Sequence, residues 1–217
     1  MPSDPILYST DVDKYLAMFR IEFDKVQGDT MKKSERFGEL LIFLARSVKF
    51  FPQKLGWIPG AIMKLMEELG PVLHSYIRKK CAGSIMILRA KSILLPVSTT
   101  EFLLKQMRLE DKELRSMIYK YVLNDIRRMN SHHQNNKINQ QIRAFISGYI
   151  PKHTDKTAQK SLKLMIELYK RNIWTDNRSV NIIAEACFAP SSRLRMMGCH
   201  FLMETTMPLE ELPDSDD

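Results

Sequence analysis

The sequence has few cysteines and few glycines, and it has no long apolar run. Its three cysteines are widely spaced and odd in number, which predicts no disulfide framework. No stretch approaches the roughly 18 apolar residues of a membrane-spanning helix, and the first residues lack the basic start and apolar segment of a signal peptide. We therefore expect an intracellular protein whose cysteines pack as small apolar groups.

The motifs of common catalytic and nucleotide-binding sites are absent from the sequence. It contains no Gly-rich phosphate loop, no dinucleotide-binding glycine pattern, no His-Glu-x-x-His motif and no Gly-x-Ser-x-Gly elbow. His132-His133 and Cys199-His200 are adjacent potential metal ligands, but adjacent side chains point apart and no second pair completes a tetrahedral set. We predict no enzyme activity, no metal site and no cofactor.

Positive charge is concentrated in the first 203 residues. The whole chain has a net charge of +8, and the segment after Met203 contains six acids and no base, so residues 1–203 alone carry +14. A strongly basic surface favours an anionic partner, of which RNA is the commonest large example. Basic proteins also bind acidic segments of other proteins, so the charge alone leaves both classes of partner open.

Apolar residues recur at helical spacing along most of the chain, without the alternation typical of strands. The pattern predicts about ten helices paired into hairpins of about 40 residues each, as in HEAT or armadillo repeats. We expect an all-α helical-repeat solenoid over residues 11–203, and an irregular helical bundle is the alternative. Residues 1–10 are predicted to be a flexible N-terminus, and residues 204–217 an acidic disordered tail.

The strongest basic region runs from residue 126 to 166, with eight Lys or Arg, three His and a single acid, Asp155. Lys156, Lys160 and Lys163 share one face of a predicted helix, where they can follow a phosphate backbone or form an ordinary solvated face. The polar loop from Asn130 to Lys137 separates two amphipathic helices, and its side chains suit hydrogen bonds to phosphate, ribose or exposed backbone. The candidate RNA-binding or partner-binding residues are Arg127, Arg128, Asn130, His132, His133, Asn135, Asn136, Lys137, Arg143, Lys156, Lys160, Lys163, Lys170 and Arg171.

Lys170 and Arg171 lie near a predicted helix C-terminus, where they either offset the helix dipole or contact a partner. Three other residues are predicted to support the structure. Asp125 falls on or beside the apolar stripe of its helix and needs Arg128 or a donor from a neighbouring helix as partner, unless it is half-solvated at the edge. Tyr169 and Trp174 have the helical spacing of core residues rather than of a base-stacking platform.

Two runs of the sequence resemble a known family. Residues 124–139 (NDIRRMNSHHQNNKIN) and 165–188 (MIELYKRNIWTDNRSVNIIAEACF) are similar to the core of the Sda (severe depolymerisation of actin) family. Weaker similarity covers most of residues 11–203, including ARSVKFFPQ and ILRAKSILLP. Typical members continue into a long, charged C-terminal half that is absent from these residues.

The resemblance implies a HEAT-like helical-repeat protein that acts as a non-catalytic assembly factor for the large ribosomal subunit. It further implies binding to large-subunit rRNA and pre-ribosomal proteins in the nucleus and nucleolus, in support of maturation and nuclear export. A karyopherin-like or transport-adaptor protein that holds protein cargo on the same kind of solenoid is the alternative. We expect no membrane, small-molecule or metal partner.

Overall fold

The computed structural model describes residues 8–131, 136–150 and 156–203. These ranges contain eleven α-helices and one 3-10 helix, and they form no strand, which confirms the predicted all-α class. The helices are α1 (Ser9–Gly28), α2 (Glu35–Ser47), α3 (Pro52–Leu55), α4 (Ile58–Leu69), α5 (Ser75–Ala90), α6 (Pro96–Gln106), α7 (Lys112–Met129), α8 (Asn136–Ser147), α9 (Lys156–Lys170), α10 (Asn177–Glu185), η1 (Ala186–Phe188) and α11 (Ser192–Leu202).

The longer helices follow each other in five pairs: α1 with α2, α4 with α5, α6 with α7, α8 with α9, and α10 with α11. The second helices of the pairs begin at Glu35, Ser75, Lys112, Lys156 and Ser192, so a pair recurs about every 40 residues. Second helices of neighbouring pairs pack on each other, α2 on α5 and α9 on α11. This arrangement is that of stacked helical repeats and confirms the predicted repeat fold.

The chain divides into two compact units, Met1–Leu114 and Arg115–Asp217, and the boundary falls inside α7. The sequence predicted one helical domain from residue 11, whereas α1 already begins at Ser9 and has Asp11 in its first turn. Most of the predicted flexible N-terminus and the whole predicted acidic tail lie outside the described residues.

The first unit is held together by aromatic and close helix packing. Phe19 of α1 and Phe37 of α2 are both fully buried, and their rings stack with centroids 5.5 Å apart. Burial of one such ring contributes roughly 2 to 3 kcal/mol to folding. At Gly38 of α2 a Cβ atom would lie 2.9 Å from side-chain atoms of Tyr76 and Lys80 of α5, so a larger residue there requires these side chains to shift.

Asp111 caps the start of α7 in the first unit. Its Oδ1 accepts a hydrogen bond from the Leu114 backbone N–H at 2.9 Å. Its Oδ2 accepts from the Ser75 hydroxyl at 2.7 Å and from Nε of Arg78 at 3.3 Å. The cap thus satisfies one free N–H of α7 and also ties the start of that helix to α5.

The second unit has its own apolar core, formed by the stripe of α8 and the buried face of α9. Ile142 and Ile146 of α8 are buried, and so are Leu162 and Met165 of α9. Gly198 of α11 lies against η1, because a Cβ atom there would be 3.0 Å from the backbone N of Cys187. α11 and η1 therefore pack backbone against backbone at this point.

The three cysteines differ in their surroundings. Cys81 is buried in α5, and burial raises the pKa of its thiol to about 12, so it behaves as a small apolar group. Cys187 is half-buried, and Cys199 is exposed. The expectation that all three pack as small apolar groups is wrong for Cys199, which is exposed although its thiol contacts that of Cys187.

Candidate nucleic-acid interface

The lysine row, which we define as Lys156, Lys160 and Lys163, lies on α9. These residues follow at spacings of four and three, so they share one side of the helix over about 10 Å of its length. Lys156 is exposed, whereas Lys160 and Lys163 are half-buried. Half-buried lysines lay their alkyl stems on apolar surface and keep the ammonium group in water, so the row can present its positive charges to a polyanion.

Asp125 is buried on α7, with an exposure of 4%, and it forms an ion pair with Arg128 one turn later. This pairing avoids the cost of an uncompensated buried carboxylate. Asp125 therefore does not take the half-solvated edge position that the sequence left open. Arg127 and Arg128 are both exposed, but Arg128 is partly committed to the pair with Asp125.

Asn130 links the end of α7 to α8. Its Nδ2 donates to the Ile126 carbonyl at 2.7 Å and to Oδ1 of Asn139 at 3.1 Å, and Nδ2 of Asn139 donates back at 2.6 Å. Asn139 is buried. The sequence grouped Asn130 with the contact residues, but its amide is used inside the second unit, because the buried amide of Asn139 requires a partner.

The remaining residues of the polar loop divide into two groups. Asn136 and Lys137 form the start of α8 and are exposed. The candidate residues His132, His133 and Asn135 lie outside the described part of the chain. Their role as contact residues stays a prediction.

Arg143 lies inside the second unit and not on an open surface. Its guanidinium carbon is 5.1 Å from the centroid of the buried Trp174 ring. The same guanidinium donates to both carboxylate oxygens of Asp176, at 2.7 Å to Oδ1. The prediction that Arg143 contacts RNA is therefore corrected: its charge is compensated by Asp176 and its plane is covered by an aromatic ring.

Asp176 also caps α10, in the way that Asp111 caps α7. Its Oδ1 accepts from the Ser179 backbone N–H at 3.0 Å and from the Ser179 hydroxyl at 2.8 Å. Burial raises the pKa of Asp176, but hydrogen bonds from Arg143 and Ser179 outweigh this and hold the pKa below its ordinary value. In both caps the arginine precedes the aspartate by 33 residues. We call Arg78–Asp111 and Arg143–Asp176 the two Arg–Asp caps.

The end of α9 combines packed aromatic residues with exposed cations. Tyr169 packs edge-on against Phe201 of α11 with ring centroids 5.0 Å apart, and Trp174 is buried. Both side chains thus lie in packed surroundings, in keeping with their helical spacing. Lys170 is exposed, whereas the equally exposed Arg171 forms an ion pair with Glu167 at 2.7 Å. Of the two cations, Lys170 is the better placed for a partner.

Asp111, Asn139 and Asp176 are absent from the residues that the sequence singled out. A signal for the two aspartates is present, since each lies directly before the start of a helix, at or beside the capping position. No comparable signal marks Asn139, because the sequence of α8 does not distinguish it from the other polar residues of that helix.

Two kinds of site are absent from the part of the chain that the structure describes. No described helix is long and apolar enough to cross a membrane. No three His, Cys, Asp or Glu side chains within residues 8–131, 136–150 and 156–203 are grouped to hold a metal ion.

Comparison with known proteins assigns the chain to a family. A family model described as SDA1, HEAT repeat matches residues 43–217. A protein SDA1 homolog of Nematostella vectensis is 33% identical over 165 residues, which is 76% of this chain and 24% of that protein. The protein SDA1 homolog of Xenopus tropicalis is 31% identical over 183 residues, which is 84% of this chain and 26% of that protein. The chain belongs to the SDA1 family.

The SDA1 HEAT-repeat match confirms the resemblance seen in the sequence and agrees with the helical pairs of the structure. The matched residues include both Arg–Asp caps and the lysine row. The protein SDA1 homolog of Dictyostelium discoideum aligns with 99% of this chain at 25% identity, but the alignment covers only 28% of that protein. The chain therefore spans about a quarter of the length of these SDA1 relatives.

Proposed function

We propose that the chain is a non-catalytic scaffold that binds the precursor of the large (60S) ribosomal subunit and supports its maturation and nuclear export. Membership of the SDA1 family, with its HEAT repeats, supports a role in binding rather than catalysis. The lysine row is the main observation in favour of RNA as the partner, because it places several cations along one face of a repeat helix.

The proposed RNA-binding surface is smaller than the sequence suggested. Asn130 and Arg143 are removed from it, because their polar groups are bonded inside the second unit. The lysine row remains, together with Arg127, Lys137 and Lys170, which are exposed. Phosphate contacts of this kind carry no base information, so binding depends on the shape and charge of structured rRNA.

In this proposal the protein acts in the nucleus and nucleolus by mass action. Several moderate contacts with rRNA and with pre-ribosomal proteins add up, because each contact raises the effective concentration of the next. The complex stabilises one intermediate of the precursor without changing its covalent structure. Nothing in this mechanism requires a cofactor.

Purification of the tagged chain from cells, followed by sequencing of bound RNA and identification of bound proteins, tests the proposal. We expect large-subunit rRNA precursors with the native chain and a strong loss with Lys156→Glu/Lys160→Glu/Lys163→Glu. The matched control is Lys32→Glu/Lys64→Glu/Lys120→Glu, which makes the same charge change at exposed positions outside the row. Recovery of soluble protein cargo without RNA would contradict the proposal and favour a transport adaptor.

A further inference from the structure

The ends of α2 and α5 bring together two segments of the first unit that are distant in sequence. Lys91, just after α5, has its Nζ 5.8 Å from the ring centroid of Phe50, just after α2. The Phe50 ring is not covered, since 38% of the residue is exposed. Arg46 and Lys49 are exposed as well. We call Arg46, Lys49, Phe50 and Lys91 the α2–α5 corner.

The backbone holds this corner in a defined shape. The Phe50 and Phe51 N–H groups both donate to the Ser47 carbonyl, so the chain continues its turn beyond α2. Lys49 and Phe50 follow Arg46 at spacings of three and four residues. The three side chains therefore fall on the same side of the helical turn. After α5, Ser92 has a φ of 59°, and the Ile93 N–H donates back to the Leu88 carbonyl at 3.0 Å.

The two chain segments that form the corner contain no acids. Residues 40–66 and 69–100, which contain both segments, include no Asp or Glu. Within the described residues, Arg46, Lys49 and Lys91 have no carboxylate partner. The nearby Lys54 differs, because it forms an ion pair with Asp13 of α1 at 2.6 Å. The corner thus carries three positive charges that form no ion pair within the part of the chain that the structure describes.

The end of α9 in the second unit shows what such a helix end needs for stability alone. Asn172 has a φ of 57°, and the Ile173 N–H donates to the Leu168 carbonyl at 3.0 Å, so the backbone cap is the same as at Ser92. The preceding cation there, Arg171, is paired with Glu167. A cation that only offsets the helix dipole needs neither an exposed ring nor additional cations, and the α2–α5 corner has both.

We propose that the α2–α5 corner is a second RNA contact, separate from the lysine row, that binds single-stranded RNA. Arg46, Lys49 and Lys91 contact phosphates, and the Phe50 ring stacks on one base when Lys91 moves from the ring to a phosphate. Exposed rings beside several cations are typical of surfaces that bind single strands. Phe43, seven residues before Phe50 and on the same side of α2, is a second exposed ring, so the three cations, which form no ion pair among the described residues, are what favour RNA over a protein partner. This inference rests on the proposed RNA-binding function and adds the class of RNA and its contact residues.

The test measures binding of a fluorescein-labelled oligouridylate of about 20 nucleotides to the full chain by fluorescence polarisation over a salt series. Lys49→Glu/Lys91→Glu should weaken binding about tenfold or more at low salt. It should also make the log-log salt dependence shallower by about 1.4, because each single-strand phosphate contact contributes about 0.7. The matched control Lys32→Glu/Lys64→Glu changes the net charge equally and should alter the affinity less than about twofold.

Substitution of the ring separates stacking from charge. Phe50→Leu should lower the affinity about fivefold or more without changing the salt dependence, because it removes the π face and leaves the cations. Phe50→Trp keeps a stacking face and should bind as the native chain does. If the Lys49→Glu/Lys91→Glu chain loses helical circular dichroism, Lys49→Gln/Lys91→Gln measured in the same way decides the result.

The outcomes distinguish this inference from the proposed function. The Lys49→Glu/Lys91→Glu chain could bind RNA as the native chain does, while reversal of the lysine row removes RNA binding. This result would overturn the proposal that the corner contacts RNA and would leave the proposed function intact. A loss at the corner with no effect of the lysine row would support the corner and contradict the row as an RNA contact. If Lys49→Glu/Lys91→Glu abolishes binding of labelled poly-glutamate but not of oligouridylate, the corner binds acidic protein and the RNA assignment is overturned.

Discussion

The two Arg–Asp caps use the same chemistry, and both arginines are largely buried, but only the first cap also buries its aspartate. In the first cap the side chain of Asp111 is 5% exposed and that of Arg78 is 13% exposed. In the second cap Arg143 is 11% exposed, whereas 52% of the Asp176 side chain faces solvent. Both acids cap a helix and compensate a buried arginine, but Asp111 does so away from solvent, whereas solvent screens the half-exposed Asp176. The comparison shows that a basic residue of this chain can serve the fold even where the local sequence is strongly basic.

The largest effect is expected for Asp111→Ala, which should lower the free energy of unfolding by about 3 kcal/mol. The substitution leaves the Arg78 guanidinium, the Ser75 hydroxyl and one N–H of α7 without their acceptor in buried surroundings. Urea unfolding of the full chain measures the change. Asp24→Ala, at an exposed position of α1, is the control and should stay within about 0.5 kcal/mol. A loss below about 1 kcal/mol at Asp111 would mean that the first cap is no stronger than a surface pair.

A smaller loss, about 1.5 kcal/mol, is expected for Asp176→Ala in the second cap, since solvent screens a half-exposed carboxylate. Asp176→Asn keeps an acceptor for the Ser179 N–H and should lose less. The double variant Arg143→Met/Asp176→Ala should be more stable than Asp176→Ala, because it also removes the unpaired buried charge. If removal of Asp176 costs more than removal of Asp111, exposure does not rank the two caps.

Acid should weaken the first cap. Burial raises the pKa of Asp111, but hydrogen bonds from the Leu114 N–H, Ser75 and Arg78 outweigh this and hold the pKa below its ordinary value. A carboxyl group with a lower pKa in the folded chain adds stability above its ordinary pKa and loses it as the pH falls through the folded pKa. The difference in unfolding free energy between the native chain and Asp111→Ala should therefore be constant near neutral pH and shrink below about pH 4. If the difference in unfolding free energy grew on acidification, the pKa of Asp111 would not be lowered by folding and the prediction would be contradicted.

The amide pair of Asn130 and Asn139 is uncharged, unlike the two Arg–Asp caps. It should contribute least to the free energy of unfolding. Asn139→Ala should cost about 1 kcal/mol with no dependence on pH between about 4 and 8. The double variant with Asn130→Ala should cost less than the sum of the single changes, because the two amides bond to each other. Asn124→Ala, at an exposed position of α7, serves as the control. Additive losses would show that the two amides act independently.

Most of the fold could be predicted because each helix carries its own apolar stripe. Ile138, Ile142 and Ile146 define α8 by their spacing alone, and the spacing of the lysine row defines a face of α9. Such information lies within one helix and needs no tertiary contact. The recurrence of helical pairs about every 40 residues follows from the same local signals.

The internal use of Arg143 and Asn130 could not be predicted from local spacing. Arg143 finds its acid 33 residues later, and Asn130 finds its amide nine residues later, across the packing of helices. A count of charges treats all cations equally, so the sequence alone placed Arg143 in the contact surface. The α2–α5 corner was missed for a related reason, because Phe50 and Lys91 meet only through the packing of α2 on α5.

The salt dependence of RNA binding tests the central claim that the lysine row contacts a polyanion while Arg143 serves the fold. Binding of a structured rRNA hairpin to the full chain is measured between about 50 and 200 mM salt, for the native chain and for Lys156→Glu/Lys160→Glu/Lys163→Glu. About four phosphate contacts give a native log-log slope of about −3 to −4, and reversal of the row should bring it close to −1 with little change in the melting curve. A native slope near zero, or an unchanged slope after reversal, would contradict the claim.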